Sequence, residues 1–371
     1  MRSPADNGPA RRLLDSLGRR GGYTSSNTRD ALRMQLVLVL PGLLESARTG
    51  PPAAPAPALA ELLAWAGAPS RNPDGLDAEI ASRYGVARQT DWPLAAIRAA
   101  SLGLATGDDY WLAADPVTLV VGRDDVAFSG IVGDLTHAQA AALVATLNAH
   151  FAGDGFEFVA PKPNAIFARL AAAPRLATHQ PALTPDRPLR FRLPEGADAA
   201  KFRRWQSEIQ MLLHEHPVNV EREKSGAPPV NGLWLSAGGL LPPRGSPPSA
   251  IRTYANSGIA VALAAQLDAP ARPLPAHFAA AIDSGAGAKL VVVALASGAA
   301  LTEIERAWAL PSRDALASRR VEAISIVAED AGDAVCWRAR RPGVWQRFSG
   351  RVRPRDIAAE LAAATRKQPR T

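Results

Sequence analysis

A chain of 371 residues with a single cysteine, Cys336, cannot close a disulfide within itself, and a reducing compartment is expected. Long apolar runs are missing too: the stretches around Leu36 to Leu44 and Leu290 to Ala296 are far too short to span a bilayer. The first 33 residues carry Arg11-Arg12 and Arg19-Arg20 without the apolar centre of a signal peptide. They read as a flexible N-terminal extension, secretion is not supported, and a cytoplasmic location with no membrane partner is expected. Met34, directly before the first predicted strand, is an alternative start of translation. No Gly-rich phosphate loop ending in Lys-Ser or Lys-Thr occurs, no Ser-centred strand-to-helix elbow, and no internal repeat.

Charge is unbalanced but dispersed. The formal net charge of +7 favours anionic partners through its long-range field, yet the arginines are spread over loops and both tails. A nucleic-acid reader would cluster them on one helix or among exposed aromatics, so nucleic acid is not the expected partner. Trp337, Trp345 and Phe348 do alternate with Arg338, Arg340, Arg341 and Arg347, a pattern that also fits an amphipathic strand with outward arginines. The residues Gly122-Arg-Asp-Asp125 read as a turn between strands.

With 47% hydrophobic and 21% charged residues, the chain is globular and long enough for two domains. Leu36 to Leu40, Val117 to Val121, Val126 to Phe128, Phe156 to Val159, Leu290 to Leu295, Val321 to Val327 and Ala334 to Ala339 read as strands. Between them, helices are predicted at Leu59 to Ala66, Leu94 to Leu104, Ala138 to Asn148, Arg203 to His214, Ala255 to Leu267 and Ile357 to Ala364. Pro51 to Pro57 is a stiff linker and 174–194 a Pro-rich connection. Strands alternating with helices give an α/β layered class.

The densest set of specific polar residues runs from Arg203 to Gly239. Trp205, Ile209, Leu212 and Leu213 recur at helical spacing, and Pro217 is expected to end that helix and start a loop. In the loop, Asn219, Arg222, Lys224 and Asn231 place two amides and two cations close together, and an Arg fork offers paired donors matched to a carboxylate or phosphate. The plainer alternative is that Asn219 and Asn231 satisfy turn backbone groups while Arg222 is solvated. Gly238-Gly239, after the apolar Leu233-Trp-Leu, suggests a strand exit that needs close backbone approach.

The signature His216-Pro-Val-Asn219, Arg222, Gly226, Pro229-Val-Asn231 and Gly238-Gly239 resembles that of the archaeal-type, cofactor-independent phosphoglycerate mutases of the alkaline phosphatase superfamily, and the resemblance implies that His216, Asn219, Arg222, Lys224 and Asn231 bind a small anionic or phosphorylated ligand. More closely, Trp205-Gln-Ser-Glu-Ile-Gln-Met-Leu-Leu213 with Val230-Asn-Gly-Leu-Trp-Leu-Ser236 resembles the RpfE-type regulatory proteins of proteobacteria. Gly107-Asp-Asp109, Val120 to Asp125, Ile131-Val-Gly-Asp-Leu-Thr136 and Gly155-Phe-Glu-Phe158 are similar to the mutases' inserted domain. The likeness spans roughly Met34 to Arg320 and is strong only over 203–239. It implies an alkaline phosphatase-like core, 34–104 and 232–371, with a mixed, mostly parallel sheet flanked by helices, and an inserted α+β domain at 105–231.

The resemblance also implies what is missing. Those mutases use a Ser nucleophile between two divalent metals held by Asp and His. Where the first Asp ligand should follow the first core strand, this chain has Pro41-Gly42, and after Leu290 to Leu295 comes Ala296-Ser-Gly-Ala-Ala-Leu301. Of six histidines the last is His277. Ser236 replaces an Arg of the family, and Trp111 to Pro116 lacks its Arg and Asn. The expectation is therefore a catalytically degenerate mutase-like protein with a binding or regulatory role, no catalytic residues and no cofactor. One alternative is an active mutase or phosphatase whose metal pair recruits Asp283, Asp314, Glu329, Asp330 or Asp333. The other is a regulator that binds a protein or nucleic acid.

Overall fold

The computed structural model describes residues 34–45, 55–121, 126–181, 193–244, 250–283, 288–343 and 357–365. Its strands are β1 (Gln35–Val39), β2 (Ser70–Asn72), β3 (Tyr110–Val121), β4 (Val126–Ile131), β5 (Phe156–Lys162), β6 (Ala165–Leu170), β7 (Gly232–Leu240), β8 (Ile251–Tyr254), β9 (Leu290–Ala294), β10 (Ala323–Asp330) and β11 (Asp333–Arg340). Its helices are α1 (Pro57–Ala66), α2 (Leu76–Arg83), α3 (Leu94–Ser101), α4 (His137–His150), α5 (Ala199–His214), α6 (Pro217–Lys224), α7 (Ile259–Gln266) and α8 (Phe278–Asp283). A last run passes from α9 (Leu301–Glu303) through a π-helical segment (Ile304–Ala309) into α10 (Leu310–Ala317), and α11 (Ile357–Thr365) follows.

The first sheet has the order β2-β11-β10-β1-β9-β8. Strands β10, β1, β9 and β8 are mutually parallel, while β11 and β2 run antiparallel at one edge. This is the mixed, mostly parallel sheet expected from the sequence. Its central strands are unbroken apolar runs because both faces are covered. Leu36, Leu38, Val291, Val293, Ile324 and Ile326 point into the layer with α1, α10 and α11, and Val37, Val39, Val292 and Val327 into the layer with α2, α3 and α7. Each such fully buried side chain stabilises the fold by about 1.5–3 kcal/mol. Helix α1 has no side-chain cap of its own. Glu305 of the π-helical segment supplies one from a distance, accepting Ala58 N–H at 2.7 Å and Leu59 N–H at 3.0 Å. A carboxylate there satisfies two orphan donors and meets the positive end of the helix dipole.

The second sheet is built on the long strand β3. Residues 110–113 pair with β6 on one side and β7 on the other, and Val117 pairs with β4 and β7 in the same way. Beyond β6 lies β5. Pro116, inside β3, has no N–H to give, but its carbonyl accepts Val132 N–H at 2.8 Å. Helix α5 lays Phe202, Trp205, Ile209 and Leu213 against this sheet, and Trp205 stacks on Phe156 with centroids 4.2 Å apart. Helix α4 begins with a capping box between Thr136 and Gln139.

Side-chain amides finish this sheet where no further strand does. Asn231 accepts Leu119 N–H and donates to Leu119 carbonyl, both at 2.7 Å. Asn148 makes the same pair with Phe158, at 2.7 and 2.9 Å, and Gln89 with Leu240, at 2.9 and 2.8 Å. Each amide thus copies the hydrogen-bond pair of a neighbouring peptide and occupies a backbone edge that would otherwise be open.

The structure departs from the sequence reading at several points. Pro217 starts a helix instead of a loop, because N1 of a helix needs no N–H and favours the fixed φ of proline. Strand β7 pairs with β3 and so lies in the second sheet. Gly258, expected inside a helix, is the N-cap of α7 with φ 84°, which a glycine adopts freely. Strand β3 begins at Tyr110 and not at Val117, and β6 was not foreseen. The N-terminal extension, most of the Pro51 to Pro57 linker and the turn 122–125 lie outside the described residues.

Candidate functional site

Three of the expected site residues, His216, Asn219 and Arg222, recur every third position at the start and along α6 and face inward. Asn219, 1% exposed, donates to Leu213 carbonyl at 2.6 Å and Val230 carbonyl at 2.8 Å, and accepts Val230 N–H at 2.8 Å. Arg222, 3% exposed, donates through Nε to Pro228 carbonyl at 2.9 Å and through Nη2 to Asp134 at 2.6 Å, with Nη1 at 3.3 Å from Gln139 Oε1. His216 caps α6: Nδ1 accepts Val218 N–H at 3.2 Å, which leaves Nε2 as the protonated nitrogen that donates to Thr146 Oγ1 at 2.9 Å. Burial lowers the imidazole pKa from its ordinary value.

Asn231 is spent on Leu119, one strand away, and Lys224 is exposed at the end of α6. The two asparagines therefore satisfy backbone groups, as the plainer reading of the sequence has it. Arg222 does not follow that reading, since it is buried and ion-paired rather than solvated. His216, Asn219 and Arg222 tie α6 to α4, to the end of α5 and to the segment 228–230 that leads into β7.

A space open to a ligand lies elsewhere. Between the two sheets lies a cavity of about 330 Å³, walled by the start of α2, the first turns of α3, β3, β7, the β10–β11 turn and the connection at 177–181. Glu329, near the carboxyl end of β10, lines it on the side of the first sheet.

Its polar groups fall into three kinds. Two carboxylates are matched by arginines: Asp77 by Arg98, and Asp74 by Arg88 at 2.9 Å with Trp92 Nε1 at 2.8 Å. Asp91, 4% exposed, is held by neutral donors, Thr178 Oγ1 at 2.5 Å and Thr178 N–H at 3.0 Å, with Gly238 N–H beside them. Burial still pushes its carboxyl above the ordinary range, against the pull of those hydrogen bonds. Asp115 and Glu329 line the cavity without a hydrogen bond to any described residue. Protein packed around Asp115 raises its carboxyl pKa against the pull of Arg98, and burial raises that of Glu329 with help from Asp77 and Glu45.

Strain marks the same wall. Along β7 the three steps from Ser236 to Gly239 face only two on β3, from Ala113 to Trp111. The extra residue is a bulge, and Ala237 takes it up at φ 56°, a conformation uncommon outside glycine. The two glycines that follow need their missing side chains. A Cβ at Gly238 would stand 2.3 Å from Tyr110 Oη, and one at Gly239 2.5 Å from Pro93 Cβ. The close approach suggested by Gly238-Gly239 is thus real, and the protein itself makes it.

Of the acidic residues named as substitute metal ligands, Glu329 reaches the cavity. Asp330 and Asp333 bind Arg71 at 2.5 and 3.3 Å, Asp314 pairs with Arg313, and the side chain of Asp283 lies outside the described residues. Among the described residues no three His, Cys, Asp or Glu groups converge to hold a metal ion, and no helix is long and apolar enough to cross a membrane. Sequence reasoning passed over Asp77, Arg98 and Asp115. Asp115 carried a usable signal: an acid inside the apolar run Tyr110 to Val117, in a strand that disfavours Asp.

No family model matches the chain, and no curated protein does. Among solved structures it is similar to a cofactor-independent phosphoglycerate mutase from Thermoplasma acidophilum, with 16% identity over 83% of this chain and 90% of that one and a TM-score of 0.41. It is also similar to a protein from Pyrococcus horikoshii, with 13% identity over 83% of this chain and 88% of that one and a TM-score of 0.45.

Proposed function

We propose that this chain is a binding protein laid out like a mutase, without phosphoryl transfer, and that it serves a regulatory role of the RpfE type by holding a small molecule in the cavity between its sheets. One observation carries the reading: the cavity is lined by two Arg–carboxylate pairs and by Asp91, Asp115 and Glu329, and among the described residues no three metal-ligating groups converge. A phosphate monoester brought beside Asp115 and Glu329 would meet like charge. Pro41, where the resemblance puts an Asp ligand after β1, has no metal-binding side chain. The binding role needs only what is present, a lined cavity and donors held in place by packing.

The test is an assay of phosphoglycerate interconversion with manganese, zinc or magnesium added. No turnover above the uncatalysed background is expected. A rate of about 1 per second or more, ordinary for an enzyme, would overturn the reading.

A further inference from the structure

One wall of the cavity is held differently from the others. The segment 177–181 runs from the second sheet, where Leu176 is buried in the core with α5, towards the edge of the first, where Gln180 Oε1 would lie 3.7 Å from a Cβ at Gly75. Its first residue is pinned, since Ala177 exchanges two backbone bonds with Glu195, at 2.8 and 3.0 Å. Beyond that bridge residues 178–181 pair with no strand, and none of the five belongs to a hydrophobic core. The neighbouring walls do reach the cores, through Leu94 of α3, Leu112 of β3 and Leu235 of β7.

Polar contacts with residues far away in sequence fasten this strap. Asp91 accepts Thr178 N–H at 3.0 Å and the Thr178 hydroxyl at 2.5 Å, and Trp234 Nε1 donates to His179 carbonyl at 2.7 Å. Asp91 stands just before α3, whose Leu94 and Ile97 pack in the layer beside the first sheet, and Trp234 belongs to β7 of the second. The strap is thus tied to both sheets by side chains alone.

We infer that 177–181 is a gate that swings on the bridge at Ala177, so that a small molecule enters or leaves the cavity when Thr178 releases Asp91 and His179 releases Trp234. Its use for binding rests on the reading of the cavity given above. A segment tied by a few hydrogen bonds, with no side chain in a core, opens locally at a free energy well below that of global unfolding. The helices and strands around it stay in place, because moving them would bring buried apolar surface into water. All five strap residues are half-buried, and Asp91, 4% exposed beneath them, gains water as Thr178 leaves. Water then replaces the bonds that break, which keeps the opening reversible.

Thiol labelling of the full chain with methyl methanethiolsulfonate tests this. Ser236→Cys puts a thiol on the cavity wall at a position 1% exposed, and Cys336, buried in the layer with α2, is a second thiol in the same molecule that reports wider unfolding. Mass spectrometry of the labelled peptides separates the two. The cavity thiol should react well below the rate of a free thiol, and adding Thr178→Val or Trp234→Phe should speed it about tenfold or more while Cys336 keeps its parent rate. A cavity thiol that reacts like a free one, or whose rate neither change moves, overturns the inference. So does a rise at both thiols together in both variants, which is the sheets parting and not the strap lifting. If Ser236→Cys fails to fold, amide hydrogen exchange of the parent decides: 178–180 should exchange at least about tenfold faster than β7, and faster again in Thr178→Val. Strap amides as protected as those of β7 overturn the gate. Turnover of 3-phosphoglycerate would sink the non-catalytic reading and leave the gate standing.

Discussion

Replacing Asn219 by alanine separates the two roles that the polar signature can play. In the structure its amide is the partner of both backbone groups of Val230, a residue with no exposed surface, and a further donor to Leu213 carbonyl. Leu213 carbonyl keeps another partner in His216 N–H at 3.3 Å, so the main loss falls on Val230. Two buried peptide groups left unpaired at about 1–3 kcal/mol each, with some relaxation, cost about 2–5 kcal/mol. For a chain of this size that lowers the melting temperature by about 4–10 °C, at roughly 2 °C per kcal/mol. Asn219→Asp should behave similarly, since a carboxylate cannot donate to either carbonyl. Exposed Lys224→Ala should stay within about 0.5 kcal/mol of the parent. Thermal melts of the three variants, with phosphate titrations alongside, give the answer. A melting temperature for Asn219→Ala within about 1 °C of the parent, joined to weaker phosphate binding, would refute the reasoning and restore the signature as an anion site.

Two further outcomes are expected. Because burial lowers the His216 pKa below its unfolded value of about 6.5, the neutral form stabilises the fold above that pH, and the contribution is lost as pH falls from there through the folded pKa. Protonation would also set an N–H on Nδ1 against Val218 N–H; denaturant midpoints between pH 7 and 5 should therefore fall more steeply in the parent than in His216→Asn, and equal slopes would remove His216 from the account. Gly239→Ala, whose Cβ would lie 2.5 Å from Pro93 Cβ and 2.8 Å from its Cα, should cost about 1–3 kcal/mol or more by melting temperature, whereas Gly133→Ala, with open space around it, should cost well under 1 kcal/mol.

The elements most legible in the sequence were those whose pattern has one physical solution. Leu36 to Leu40 and Leu290 to Leu295 are apolar on every residue, which suits a strand covered on both faces, and they became neighbours β1 and β9. Trp205, Ile209 and Leu213 could share one side only of a helix, and they do. Proline was ambiguous: the residue that stops one helix is also well suited to begin the next, and Pro217 does the second. The partner of β7 could not be read at all, since pairing with β3 joins residues more than a hundred positions apart. The cavity was illegible for the same reason. Asp77, Asp115 and Glu329 are ordinary acids in sequence and become a set only when α2, β3 and β10 are brought together. The signature loop misled in the opposite sense, because amides and guanidinium close in sequence look the same whether they point to a ligand or to the backbone.

The amide that joins β3 to the start of β7 belongs to Asn231, and the next residue is Gly232, the sequence pair most prone to spontaneous deamidation through a cyclic imide. Held by Leu119 on both of its polar atoms, that side chain is kept from folding back onto the following peptide nitrogen. Should local opening release it, the aspartate or isoaspartate formed could no longer donate to Leu119, and the seam would not reclose as before. The lifetime of a stored sample is thereby linked to how seldom this one junction breathes.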